Sequence, residues 1–162
     1  MRTSVLCTVL GVALVGFACK GPDDPNPDTL HYSGLARGAN VVPGATLAPS
    51  DTLAQGTVGI TIDTTGGTII WGAAIQNAPT GTLDTIALYQ VAAGANLPAA
   101  PSALLCAGAA CTTLSGTLTL ASPAAAKTIW TSARGYGTQV VFFTTTARTA
   151  GAMRGTLYAT PQ

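Results

Sequence analysis

The sequence predicts an all-β domain: an antiparallel Greek-key β-sandwich or flattened barrel carrying one short helix. Three observations lead there. From Leu30 onward, apolar and polar residues alternate with period two, in runs broken by Gly, Pro and Asn. The 162 residues include 26 Thr, whose β-branched side chains lose χ1 freedom in helices and pack well on a pleated sheet. The 29 Ala argue the other way, but many stand beside Gly or Pro in connections, and one segment alone has both the start and the stop signals of a helix. A solenoid of Gly-Thr repeats is the alternative, and the irregular spacing of those pairs speaks against it.

The chain opens on an export address. Met1-Arg2 precedes an apolar run from Val5 to Ala18, followed by Cys19-Lys20, the plan of a signal peptide over residues 1–18. The run is too short for an ordinary bilayer-spanning helix. Its end has two readings. Signal peptidase would cut after Ala18, releasing a secreted protein, or Cys19 would be lipidated, since Val15-Gly16-Phe17-Ala18-Cys19 resembles a bacterial lipobox with Gly16 where Leu is most common. The stretch Gly21-Pro22-Asp23-Asp24-Pro25-Asn26-Pro27-Asp28 cannot build a core and reads as a tether over residues 19–29. A cysteine at that junction is where an anchor must sit, and several acyl chains at about 0.8 kcal/mol per buried CH₂ hold a protein on a membrane. The expected location is therefore a bacterial outer membrane or cell surface, reached through a lipid on Cys19.

The folded part runs over residues 30–162. Thr57, Gly59, Thr61 and Asp63 alternate with Val58, Ile60 and Ile62, one wet and one buried face of a strand. Gly66-Gly67 turns the chain into Thr68–Gln76, where Ile69, Trp71, Ala73 and Ile75 share a side, so the two runs form a hairpin. After the turn residues 77–81, Thr82–Val91 is a third β-rich run. Residues 92–113 are rich in Ala, Pro and Gly and are expected to form a long connection without strand. Cys106 and Cys111 lie within it and would close a six-residue loop, worth about 2 kcal/mol on the chain-entropy model. A disulfide suits an exported chain, with free thiols or a metal pair as the alternatives. Redox chemistry is disfavoured, because four residues separate the cysteines and no nearby cation lowers a thiol pKa. Leu114–Leu120 alternates again. Ser122 then caps a helix whose first position is Pro123, Ala124–Lys127 sustains it and Gly135 stops it. On it, Ile129, Trp130 and Ala133 face the open end of the sheet. Gln139–Thr146 and Ala152–Ala159 are the closing strands, for six or seven in all.

Composition removes whole classes of function. The net charge is +1, 8% of residues are charged, Glu is absent, and there are six Asp and one His. Removing residues 1–18 costs Arg2 alone and leaves six basic against six acidic side chains, so no polybasic surface exists for nucleic acid. A Ser-His-Asp triad would have to use His31, no Gly-x-Ser-x-Gly elbow is present, and no two Asp residues sit in a recognisable glycosidase setting. Gly59, Gly66 and Gly67 are followed by neither a P-loop Lys nor a dinucleotide fingerprint. No catalytic, cofactor-binding or metal-binding residues are therefore assigned. His31, near the start of the first strand, reads as a surface side chain, since a protein-only metal site takes three or four ligands.

The order of these pieces resembles the CHRD domain, the module named after chordin and also found in bacterial exported proteins. Gly34-Leu35-Ala36-Arg37-Gly38-Ala39-Asn40-Val41-Val42-Pro43 is similar to the family opening, and Gly56-Thr57-Val58-Gly59-Ile60-Thr61-Ile62-Asp63 to its first long strand. Gly151-Ala152-Met153-Arg154-Gly155-Thr156-Leu157 stands where the family has Gly-Glu-Ile-Arg-Gly-Gln-Leu, and Val140–Thr145 resembles the strand that ends in His-Thr. The resemblance spans Leu30 to Tyr158 and implies an architecture similar to copper–zinc superoxide dismutases. The family's His-Ile-His element is missing from Thr85-Ile86-Ala87-Leu88-Tyr89-Gln90, Thr144 replaces the later histidine, and Ala152 replaces the acidic residue. A metal role is thus not inherited. Gly151, Arg154 and Gly155 are expected to be structural, with the Arg154 guanidinium fixed by loop carbonyls or by Asp63 or Asp84. The rival reading is an anion- or ligand-binding arginine.

What remains is a noncatalytic, surface-tethered domain for protein interaction or structure, with a polysaccharide-binding module of the cell envelope as the alternative. The partner is thus an unidentified protein or polysaccharide. Trp130 and Tyr136 are the candidate contact residues, because loop aromatics supply large apolar contacts at modest entropy cost. The competing reading places both in the core.

Overall fold

The computed structural model describes residues 29–41, 49–147 and 151–160. The signal segment 1–18, Cys19 and the tether as far as residue 28 lie outside the described residues. The described chain forms eight strands: β1 (Thr29–Arg37), β2 (Gln55–Asp63), β3 (Thr68–Asn77), β4 (Leu83–Gln90), β5 (Ala103–Ala107), β6 (Ser115–Thr119), β7 (Thr138–Thr144) and β8 (Met153–Ala159). All pair antiparallel in one sheet ordered β5-β4-β7-β8-β1-β2-β3-β6. The outer strands β5 and β6 come back against each other, so the sheet curls into a nearly closed, flattened barrel. From β1 the ring reads β1-β2-β3-β6-β5-β4-β7-β8. The β3–β4 and β6–β7 connections each skip two strands, which is the Greek-key pattern.

The period-two runs face as their alternation requires. Val58, Ile60 and Ile62 of β2 and Ile69 and Trp71 of β3 point into the barrel with Tyr32, Ile86, Leu88, Val140, Phe142, Met153 and Leu157. The β2–β3 hairpin forms at residues 64–67, where the Asp63 carboxylate accepts bonds from the backbone N–H groups of Thr65 (2.9 Å) and Gly66 (2.8 Å).

The helix α1 (Pro123–Arg134) occupies the β6–β7 crossover. Ser122 caps it as the sequence predicts, its Oγ accepting from the Ala125 N–H at 3.2 Å. Ala126, Ile129 and Ala133 are buried in the main core, and the helix packs against β2, β3, β4, β7 and β8, which it can do only across one end of the barrel.

Two elements depart from expectation. The 92–113 stretch was expected to be strandless, yet it contains β5, paired with β4 through Ile86↔Cys106 and Leu88↔Ala103. Its apolar residues gain a partner that no local pattern announces, and the strand count becomes eight. The second departure is β7, whose seven residues are all buried instead of alternating. Val140 and Phe142 face the barrel interior. Val141 and Phe143 face outward into a second small core with Ala87, Tyr89, Val91 and Leu97, roofed by the chain that links β4 to β5. A strand covered on both faces reads as a continuous apolar run.

Candidate functional site

Arg154 organises the outer face of the sheet. It lies on β8 opposite Val141 of β7, hence on the outward side, and yet no part of it is exposed. The cover is the β4–β5 connection. The guanidinium donates to the Ala95 carbonyl at 2.7 Å and to the Ala92 carbonyl at 3.5 Å, while its Nε is buried with no partner among the described residues. Burial pulls its pKa below the ordinary guanidinium value, because a desolvated cation is disfavoured. Among the described residues no carboxylate pairs with it. Asp63 is engaged by its own turn, so loop carbonyls are what hold Arg154.

The two glycines of the same motif have steric reasons. A Cβ on Gly155 would meet the Leu35 carbonyl of β1, so β1 and β8 approach too closely for any side chain there. Gly151 has φ +81°, in the left-handed region that suits glycine, and a Cβ there would run into Val141 Cγ1.

The Arg154 backbone carbonyl accepts from Asn40 Nδ2 at 3.1 Å. One residue therefore fixes the 92–95 turn through its side chain and the 39–41 turn through its main chain. Between these two lips lies a cleft of about 400 Å³, within the range that takes small ligands. Its lining includes Asn40, Gln139, Thr156 and Tyr158, and none of its lining side chains among the described residues is charged. Gln139 is only 2% exposed, and its Nε2 donates to Thr156 Oγ1 at 2.7 Å. The side-chain oxygen of Gln139, Oε1, accepts no bond from the described residues. A floor of one amide and one hydroxyl, oriented by each other, offers both acceptors and donors to whatever enters.

Of the two expected contact aromatics, one is exposed. Trp130 is partly buried against the core, its main-chain carbonyl accepts from the Tyr32 hydroxyl at 3.3 Å, and Arg134 lies over its ring at 5.4 Å. Its indole N–H is buried with no partner among the described residues. Tyr136, by contrast, is 60% exposed and pairs with Tyr158, itself 54% exposed, at 5.5 Å between ring centroids and a 49° tilt. Tyr136 takes the position after the helix C-cap, with φ +58°. Its N–H bonds to the Ala133 carbonyl and that of Gly137 to the Ser132 carbonyl, the paired bonds of a Schellman motif. Glycine usually fills that position, and a tyrosine there costs about 1 kcal/mol. Tyr158, Gln139, Asn40 and Thr156 escaped sequence reasoning. The one available signal was the outward parity of Thr156 and Tyr158 on the closing strand.

Cys106 and Cys111 are joined by a disulfide across the turn that follows β5, with Cα atoms 5.1 Å apart. His31 is exposed on β1 and its Nδ1 lies 2.7 Å from Thr61 Oγ1. Among the described residues no group of three or more His, Cys, Asp or Glu is placed to hold a metal. No described helix is long and apolar enough to cross a membrane. Comparison with protein-family models, with curated proteins and with solved structures finds no match for this chain.

Proposed function

We propose that this chain is a noncatalytic, surface-tethered interaction domain that engages its partner through the outer face around the 39–41 and 92–95 lips. The observation that carries the reading is the exposed Tyr136–Tyr158 pair at the edge of an uncharged polar cleft. Exposed tyrosines give large contact area with little side-chain entropy to lose. The export signal, the lipid on Cys19 and membership of the CHRD family belong to the same proposal. The spacer after Cys19 in the sequence supports an anchored domain standing clear of the membrane.

Two measurements test it together. The full chain should partition with detergent-extracted membranes and Cys19→Ser should move it to the soluble fraction; unchanged partitioning overturns the anchor. The full chain should also co-sediment with isolated cell-envelope material, and a Tyr136→Ala/Tyr158→Ala double variant should lose most of that binding while keeping its melting temperature. Equal binding by the double variant removes this face from the function.

A further inference from the structure

We infer that the cleft between the 39–41 and 92–95 turns is a saccharide site, which takes a neutral polyhydroxylated ligand against Gln139, Thr156 and Tyr158. The inference rests on the interaction-domain reading and names the chemistry of the partner.

The residues argue for that chemistry by elimination and by fit. An anionic ligand would need a cation in the lining. The nearest buried one, Arg154, is turned away under the loop and committed to the Ala92 and Ala95 carbonyls. A cationic ligand would need a carboxylate, and none lines the cleft among the described residues. An apolar ligand would leave Gln139 Oε1 and the donor proton of the Thr156 hydroxyl desolvated without compensation. A sugar ring matches what is left. Its hydroxyls both donate and accept, so they satisfy the amide and hydroxyl floor, and its C–H face lies against an aromatic ring, which Tyr158 presents in the cleft lining with Tyr136 packed beside it. The floor is also set before any ligand arrives. Gln139 is held by Thr156, and both lips are tied to Arg154, so little ordering entropy opposes binding.

The test uses the full chain in detergent micelles and isolated envelope material in three forms: untreated, protease-digested and periodate-oxidised. Periodate cleaves vicinal diols and so destroys sugar rings. The expected result is binding that survives protease, is abolished by periodate and is unchanged between low salt and about 0.5 M salt, because no charge pair contributes. Tyr158→Ala and Thr156→Val should each weaken binding about tenfold, the former by loss of an aromatic contact and the latter of a hydrogen bond. Tyr158 is exposed, so its replacement leaves the fold intact, and melting temperature checks this. Binding that resists periodate but is lost on protease digestion overturns the saccharide site and leaves a protein-interaction domain standing. Periodate-sensitive binding that neither substitution alters removes the site from this cleft. Binding to none of the three preparations overturns the interaction reading itself.

Discussion

At the residue scale, two mid-strand glycines make opposite predictions. A Cβ on Gly155 would strike the Leu35 main-chain carbonyl, whereas one on Gly59 meets nothing within 4 Å among the described residues. Main chain cannot rotate aside as a flexible side chain can. Gly155→Ala should therefore destabilise by about 1–3 kcal/mol through overpacking. Gly59→Ala should be neutral or stabilise by about 0.5–1 kcal/mol, the usual advantage of alanine over glycine in a strand. Urea denaturation midpoints of the two variants check both signs, and a Gly155→Ala protein as stable as the parent would remove the close approach of β1 and β8. The importance of Arg154 is legible in the closing motif. Its partners are not, because the Ala92 and Ala95 carbonyls belong to a stretch whose composition says only that it is a connection.

At the element scale, local signals sufficed where the stabilising contact is local. Ser122, Pro123 and Gly135 bound α1 as they read, because caps act within one turn. β5 shows the converse. Ala103-Leu104-Leu105-Cys106-Ala107 has too few residues to show a period, Leu104 is 45% exposed, and the ladder to β4 slips between Ile86 and Ala87. Only pairing with β4 makes it a strand. The Cys106–Cys111 disulfide ties the end of β5 to the following turn, so it secures the sheet's least supported edge. Replacing both cysteines by serine should cost about 2 kcal/mol. The loss should be local, with faster amide hydrogen exchange in β5 and unchanged protection in the β2–β3 hairpin. Uniformly faster exchange would instead give the bridge a global role.

At the scale of the whole molecule, ionisation has little leverage near neutrality, and alkaline pH is where it gains some. Burial raises the hydroxyl pKa of Tyr32, with a smaller opposing pull from Arg134, and burial alone raises that of Tyr89. Both folded values lie above the unfolded 10.0. Below that pH both states keep their protons and the contribution is fully present. As pH rises through the folded values, the unfolded chain ionises first and stability falls. The melting temperature should thus hold up to about pH 10 and drop as the pH is raised further. Tyr32→Phe, compared with its own value at neutral pH, should drop less. An identical alkaline loss in that variant would place the effect elsewhere.

Strand faces, the β2–β3 hairpin, the helix with both its ends, and the near absence of charge follow from the sequence by itself, because alternation, turn chemistry and capping act over a few residues. Tertiary structure alone decided that β5 and β6 approach each other and nearly close the ring, that the β4–β5 connection roofs the outer face of β7, and that Asn40, Gln139, Thr156 and Tyr158 share one cleft. Those residues come from segments far apart in the chain. Their meeting depends on barrel curvature and on one buried arginine that bonds the 92–95 turn through its guanidinium and the 39–41 turn through its main-chain carbonyl, quantities that no short window of sequence contains.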